Sequence, residues 1–329
     1  MPLHRRLLIG GAAALAAGRH AQAQSGTAEA WPERSVRIIV PFPPGQAADT
    51  ITRYVADELS RRWPQRVVVE NRGGGAGAPA MEAGARSAPD GYTLIAGTSG
   101  TLGINPSVLP GIPYNAEKDF AAITNIAVVP LLIIAHPSFP GNTVQELVAM
   151  AKARPGALDL ASAGPATSQH LSAELFQHRA GIKLNIVHYR GSGPAITDLV
   201  AGNIPLMFDS VVSALGHIRG GRAKPLAVAT PNRTPWLPEV PTIAETVVPG
   251  YESFGWTGLV APAGTPDGII RKVNADVVAI LKEPAAVERI QQLGALADPR
   301  SPEEFAAFVG AEIRKWAEVV KLANVKLEG

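Results

Sequence analysis

The stretch LDLASAGPATSQHLSAELFQHR, residues 158–179, reads as a strand (158–162), a turn rich in small residues (163–168) and a helix (168–179) in immediate succession. The same order follows again at once: a strand at 183–187, the loop YRGSGP at 189–194, a helix at 194–201 and a strand at 205–209. Short, nearly continuous apolar strands that alternate with helices predict parallel sheets covered on both faces. Working outward, strands are expected at 36–41, 66–70, 92–97, 131–136 and 225–230, with helices at 49–62 and 143–154. Thr143 with Glu146, and Ser301 with Glu304, have the spacing of capping boxes that satisfy free amides of a first helical turn. The second box opens a C-terminal helix whose Phe305, Val309, Ile313, Trp316 and Val320 share one face. Pro266 opens another, with Ile269, Val273, Val277 and Leu281 on one side.

The whole chain has 329 residues, 46% of them hydrophobic and 18% charged, which excludes a disordered protein and leaves material for about two domains. A net charge of +2 gives no electrostatic reason to expect nucleic acid or an anionic membrane surface as partner. With no cysteine, disulfides, iron–sulfur clusters, thiolate zinc sites, Cys nucleophiles and a lipidated N-terminal cysteine are all excluded. Residues 1–23 have the layout of a secretory signal peptide: Arg5 and Arg6, an apolar stretch from Leu7 to Gly18, and Ala21-Gln22-Ala23 before the cut. The apolar stretch is too short for roughly 30 Å of hydrocarbon. The paired arginines resemble a twin-arginine signal poorly, and ordinary secretion fits better. Cleavage removes three arginines and no acids, taking the net charge from +2 to −1. An exported, soluble protein without a lipid anchor is expected.

Two enzyme signals invite attention. Gly73-Gly-Gly-Ala-Gly-Ala78 fits a dinucleotide fingerprint, but Glu70-Asn71-Arg72 separate it from the preceding strand and Asp90 precedes the next strand instead of closing it. A flexible loop fits better. Gly97-Thr-Ser99-Gly-Thr101 approaches a serine nucleophile elbow, yet threonine replaces the last glycine and no His/Asp set can be assigned to it. His136, His188 and His217 read as structural. His170 could as well line a pocket, and no metal-ligand spacing occurs. Positive signal comes from three loops that lead into helices: 43–46 before Asp49, 163–168 before His170, and 191–193 before Pro194. Their free amides, at the positive ends of helix dipoles, suit a carboxylate or phosphate; simple helix capping is the bland alternative.

The chain resembles the Bug-type extracytoplasmic solute receptors, relatives of the binding subunit of tripartite tricarboxylate transporters. The resemblance rests on VPFPPG (40–45) with Asp49, VENR (69–72), APDGYTL (88–94), INP (104–106), KDF (118–120), ASAG (161–164), Thr167-Ser168, His170-Leu171, Tyr189, TDL (197–199), MFD (207–209), LPEVPT (237–242) and APAGTP (261–266), in order through the mature chain. It implies an α/β, two-lobed periplasmic binding protein of the type II-like kind, each lobe a mostly parallel sheet flanked by helices, with the ligand in the cleft. Lobe 1 would comprise 31–126 plus 255–329 and lobe 2 residues 127–254, with crossovers near 127–130 and 253–259. By position, the ligand-binding residues would be Phe42, Pro43, Gln46 and Asp49; Thr98 and Ser99; Ser162, Thr167 and His170; Tyr189 and Gly191; and Asp209. Many relatives have glycine in place of Gln46 and Asn-Gly in place of Pro165-Ala166, so the usual ligand does not simply carry over. The expected function is capture of a small organic acid, or a related amide, by a monomer without cofactor, catalytic residues or metal, for membrane transporter subunits or for sensing. The Thr167 hydroxyl is expected to donate to the carboxylate. An exported hydrolase using Ser99, or a nucleotide-dependent enzyme using the Gly73 loop, is the contrasting reading.

Overall fold

The computed structural model describes residues 31–109 and 111–322; the expected leader at 1–23 lies outside them. In chain order the elements begin β1 (Val36–Val40), α1 (Ala47–Arg62), β2 (Val67–Asn71), α2 (Ala78–Ala85) and β3 (Thr93–Thr98). A π-helical turn, Ser99–Ile104, follows β3 without a loop and runs into α3 (Asn105–Val108) and then β4 (Phe120–Ala135). The middle of the chain supplies α4 (Val144–Ala153), β5 (Asp159–Ser162), α5 (Ser168–Ala180), β6 (Asn185–His188), α6 (Ser192–Ala201), β7 (Leu206–Ser210), α7 (Val211–Arg219), β8 (Lys224–Val228) and α8 (Ile243–Thr246). The last part is β9 (Phe254–Pro262), α9 (Asp267–Lys282), α10 (Pro284–Gln292), β10 (Leu296–Ala297) and α11 (Pro302–Leu322).

Two half-sheets share β4. The first runs β2-β1-β3-β9-β4 and the second β4-β7-β5-β6, with β8 and β10 also paired to β4. The outer strands are parallel, as the strand–helix alternation predicts: β1 with β2 and β3, β5 with β6 and β7. The strands that cross between the halves are antiparallel: β4 with β9, β7 and β8. β4 pairs with β9 up to Pro130 and with β7 from Leu131 onward, so one strand changes sheet between adjacent residues. Its run from Leu131 to Ala135 is fully buried, which a strand covered on both faces requires. The strand expected at 131–136 is therefore only the end of a much longer one; β9 overlaps the crossover expected at 253–259 without having been read as a full strand, and α7 was not anticipated.

Both expected capping boxes form. The Thr143 hydroxyl accepts from the Glu146 amide while Glu146 reaches back to the Thr143 amide, and Ser301 and Glu304 do the same. In α9 the buried face takes Ile270 rather than Ile269, with Val273, Val277 and Leu281 as expected. In α11 Phe305, Val309 and Trp316 are buried, Ile313 and Val320 only partly so, and a charged residue, Glu312, joins the buried face. The loops after β1, β3, β5 and β6 all leave the carboxyl ends of their strands, where an open α/β sheet gathers helix N-termini.

Candidate functional site

Three helix starts converge beside the strand crossing. α1 begins after Gln46, the π-helical turn after Thr98, and α5 after Thr167. Together they wall an inner cavity of about 50 Å³ that is lined by Ala47 and Ala48, Ser99 and Gly100, and Ser168 and Gln169, with β4 and β9 as its floor. The first-turn amides of a helix have no partner within the helix, and the dipole adds positive potential there. At about 30 Å³ of liquid volume per water, the cavity has room for one or two waters, or for one carboxylate group. No lysine or arginine lines it.

An outer cavity of about 680 Å³ opens from the same place, lined by Pro43 and Pro44, the glycine loop 73–77, Ala163 to Pro165, and Tyr189 to Gly191. Phe42, Gln46 and Thr167 line both cavities and so form the neck between them. Of the expected site residues, Phe42, Pro43, Gln46, Thr98, Ser99, Thr167, Tyr189 and Gly191 lie on these walls. Asp49, Ser162, His170 and Asp209 line neither cavity; each braces a loop that does.

The braces are specific. Asp49 accepts from the Gly45 amide at 2.9 Å, from Asn71 at 2.8 Å and from Arg53 at 2.8 Å. Burial acts to raise its pKa, but these bonds outweigh burial and hold the carboxyl below the usual aspartate range. The turn it fastens contains Gly45 at φ +86°, a conformation that suits glycine. His170 accepts the Ala166 amide at Nδ1, 3.2 Å away, which leaves the proton on Nε2, 3.5 Å from Glu174. Ser162 bonds His188 Nδ1 at 2.7 Å. These contacts support the turn 163–168 from behind.

Thr167 differs from expectation in role. Its hydroxyl donates to the Gly164 carbonyl at 2.7 Å and accepts from the His170 amide at 3.3 Å, so its single proton is already engaged. It caps α5. The Ser99 and Ser168 hydroxyls border the inner cavity, 3.6 Å and 3.1 Å from where a Cβ on Gly255 would stand, and Ser168 donates its proton to Gln169 Oε1 at 3.2 Å. Sequence reasoning placed Ser168 in the candidate loop 163–168 without singling it out, missed Gln169 as a wall residue although it sits in the quoted stretch, and missed residues 255–257 because β9 was not read as a strand.

Asp209 is fully buried behind Gln169. Its Oδ1 accepts from Ser192 at 2.7 Å, Gln169 and the Ser210 amide also donate to it, and its Oδ2 has no partner among the described residues. Burial pushes its pKa up to about 6 against the opposing bonds. The folded protein thus holds this proton more tightly than the unfolded chain, so the group costs stability as pH rises from about 4 through about 6, and the cost persists at neutral pH. Asp209→Asn should remove that slope. Relative to wild type it should gain about 2–3 kcal/mol between pH 4 and pH 7. Calorimetric melts of both proteins across that range check this, and parallel profiles would contradict it.

With this geometry in hand, known proteins can be compared. The profile of the tripartite tricarboxylate transporter family receptor (TctC) matches residues 51–325. Protein BugT of Bordetella pertussis is 36% identical over 303 residues, covering 92% of this chain and 93% of BugT. A UPF0065 protein of Pseudomonas sp. strain P51 is 36% identical over 89% of this chain and 87% of its own length. Among solved structures, an R. palustris protein with adipate superposes with a TM-score of 0.88 at 36% identity, over 90% of this chain and 99% of that one. MatC of Rhodopseudomonas palustris with bound malate gives 0.83 at 34% identity, over 88% and 100%. The family model and these relatives each span most of the chain: the chain belongs to the tripartite tricarboxylate transporter receptor family.

Proposed function

We propose that the protein is a periplasmic receptor that binds one carboxylate of a small organic compound in the inner cavity and passes the compound to membrane transporter subunits. The observation that carries this reading is the convergence of α1 and α5 N-termini on a pocket of carboxylate size with no cationic side chain in its wall. Relatives solved with adipate and with malate support it. Export by the leader at 1–23 and a monomeric state complete the reading. The two half-sheets act as lobes, 31–126 plus 255–329 and 127–254, that hinge where the chain crosses at 127–130 and 253–259. Closure expels water and strengthens amide–carboxylate bonds in the drier cleft. Turnover by Ser99 finds no support, since no histidine, aspartate or glutamate is among the inner-cavity residues.

The test sets each acid of a panel, adipate and malate included, against its own primary amide by calorimetry on the mature protein. The acid should bind at least about tenfold tighter, because a carboxylate accepts charge-assisted bonds that an amide cannot match. Scattering from the complex should show a smaller radius of gyration than from the free protein. An amide that binds as tightly as its acid overturns the carboxylate reading, and an unchanged radius overturns the hinge.

A further inference from the structure

We infer that Gln46 hydrogen-bonds a hydroxyl on the ligand next to its carboxylate, so that the receptor selects hydroxy acids over the same acids lacking that group. The inference rests on the carboxylate reading above. Gln46 stands at the N-cap of α1, yet its side chain makes no capping bond. Only 7% of the residue is exposed, and it borders both cavities, so its carboxamide, spared from capping, is free to meet what enters them. An amide that borders a cavity and makes no cap can bond water there, or a ligand that displaces the water.

The amide's position says what would complete it. Gln46 lies on the wall of both cavities, at the neck. Its Nε2 is 3.4 Å from where a Cβ on Gly191 would stand, so it spans from the loop after β1 to the loop after β6, and Gly191 leaves the space it occupies. Of the other two neck residues, Phe42 is apolar and the Thr167 hydroxyl is engaged with Gly164 and His170. Nearby, Tyr189 donates to Asp198 and Asn71 donates to Phe42 and Asp49. The inner cavity accepts little beyond the carboxylate, so the adjoining carbons of the ligand must pass Gln46. A carboxamide both donates and accepts, as a hydroxyl does, and being neutral it places no second charge requirement on the ligand.

Acids that differ only by one hydroxyl test this: malate against succinate, lactate against propionate, citrate against tricarballylate and mandelate against phenylacetate. Each is titrated calorimetrically into the full mature protein, Gln46→Met and Gln46→Gly, with melts to confirm folding. The wild type should favour the hydroxy member of each pair it binds by at least about fivefold, and Gln46→Met, similar in length but without the amide, should bring that ratio within about twofold. Gln46→Gly should do the same, and serves alone if the methionine variant fails to fold. A wild type that binds the deoxy acids equally well, or a ratio that survives both variants, overturns the inference and leaves the carboxylate reading standing. A folded wild type that binds none of the eight acids also overturns the inference, while the carboxylate reading stands or falls by the acid–amide comparison.

Discussion

Gly255→Val should fold and bind none of the acids that the wild type binds. Gly255 lies in β9 with its Cα hydrogen directed at the inner cavity: a Cβ there would stand 3.1 Å from the Ser168 hydroxyl, 3.6 Å from that of Ser99 and 3.7 Å from Val129 Cβ. The backbone is ordinary strand, which a β-branched residue adopts readily. The added carbons enter a cavity of only about 50 Å³, the space assigned to the carboxylate. A serine hydroxyl can rotate away from the new methyl groups; a ligand cannot share their volume. Displaced from the amides of α1 and α5, the carboxylate loses at least two charge-assisted bonds at about 1.5–3 kcal/mol each, a loss beyond about 100-fold in affinity. Packing strain should stay near the lower end of the 1–3 kcal/mol typical of added core methylenes, because the carbons enter space already open. Calorimetry with the tightest acid of the panel reads the affinity and thermal melts read the fold. Retained binding would move the carboxylate to the outer cavity and leave the inner one a water site.

The contrast between Gly255 and the helix starts shows what the sequence could and could not convey. The walls made by α1 and α5 were legible because a helix start is announced locally, by Pro-Gly before an amphipathic run or by Thr167 followed by a helical pattern. The floor was not. β9 carries Gly255 and Gly258, which lower strand propensity, and Gly258 is fixed only by distant partners: a Cβ there would meet the Phe305 ring at 2.3 Å and the Thr124 carbonyl at 2.8 Å. The first part of β4 breaks its alternation at two bulges and buries Thr124 and Asn125, which donate to the Arg300 carbonyl and the Asp298 carboxylate from far along the chain. No window of sequence contains those partners. The same holds for roles. Asp49 and Asp209 were legible as acids at strand and helix ends, but whether such an acid meets ligand or braces a loop depends on Gly45, Arg53, Ser192 and Gln169 arriving at hydrogen-bond distance. Thr167 lines both cavities, yet the Gly164 turn at φ +131° aims a carbonyl at its hydroxyl, a contact that no local pattern announces.

Glu312→Ala should lower stability by about 4 kcal/mol while Glu312→Gln costs about 1. Glu312 sits on the buried face of α11, where one carboxylate oxygen accepts the indole N–H of Trp256 at 3.0 Å and of Trp316 at 3.1 Å, with Lys315 3.4 Å from the other oxygen. Both indoles are buried. Alanine strands two buried donors at about 1–3 kcal/mol each and leaves a cavity besides; glutamine keeps an acceptor oxygen and forfeits only the charge and the lysine pair. Against a total stability of about 5–15 kcal/mol the alanine change is large. Its effect should also reach the ligand. Trp256 forms part of the inner-cavity floor, and Trp316 packs against Gly103 of the π-helical turn, 3.2 Å from where a Cβ would be. Freed from Glu312, both elements lose a fixed position relative to α11, so affinity for the panel acid should fall in the alanine variant and largely return in the glutamine one. Thermal melts, tryptophan emission and calorimetry on the two variants separate the possibilities. Equal, small losses in both would mean that water serves the indoles and that α11 merely rests on the site; a loss confined to alanine, moving stability, emission and affinity together, would mean that a carboxylate 56 residues along the chain from Trp256 holds the floor of the pocket in place.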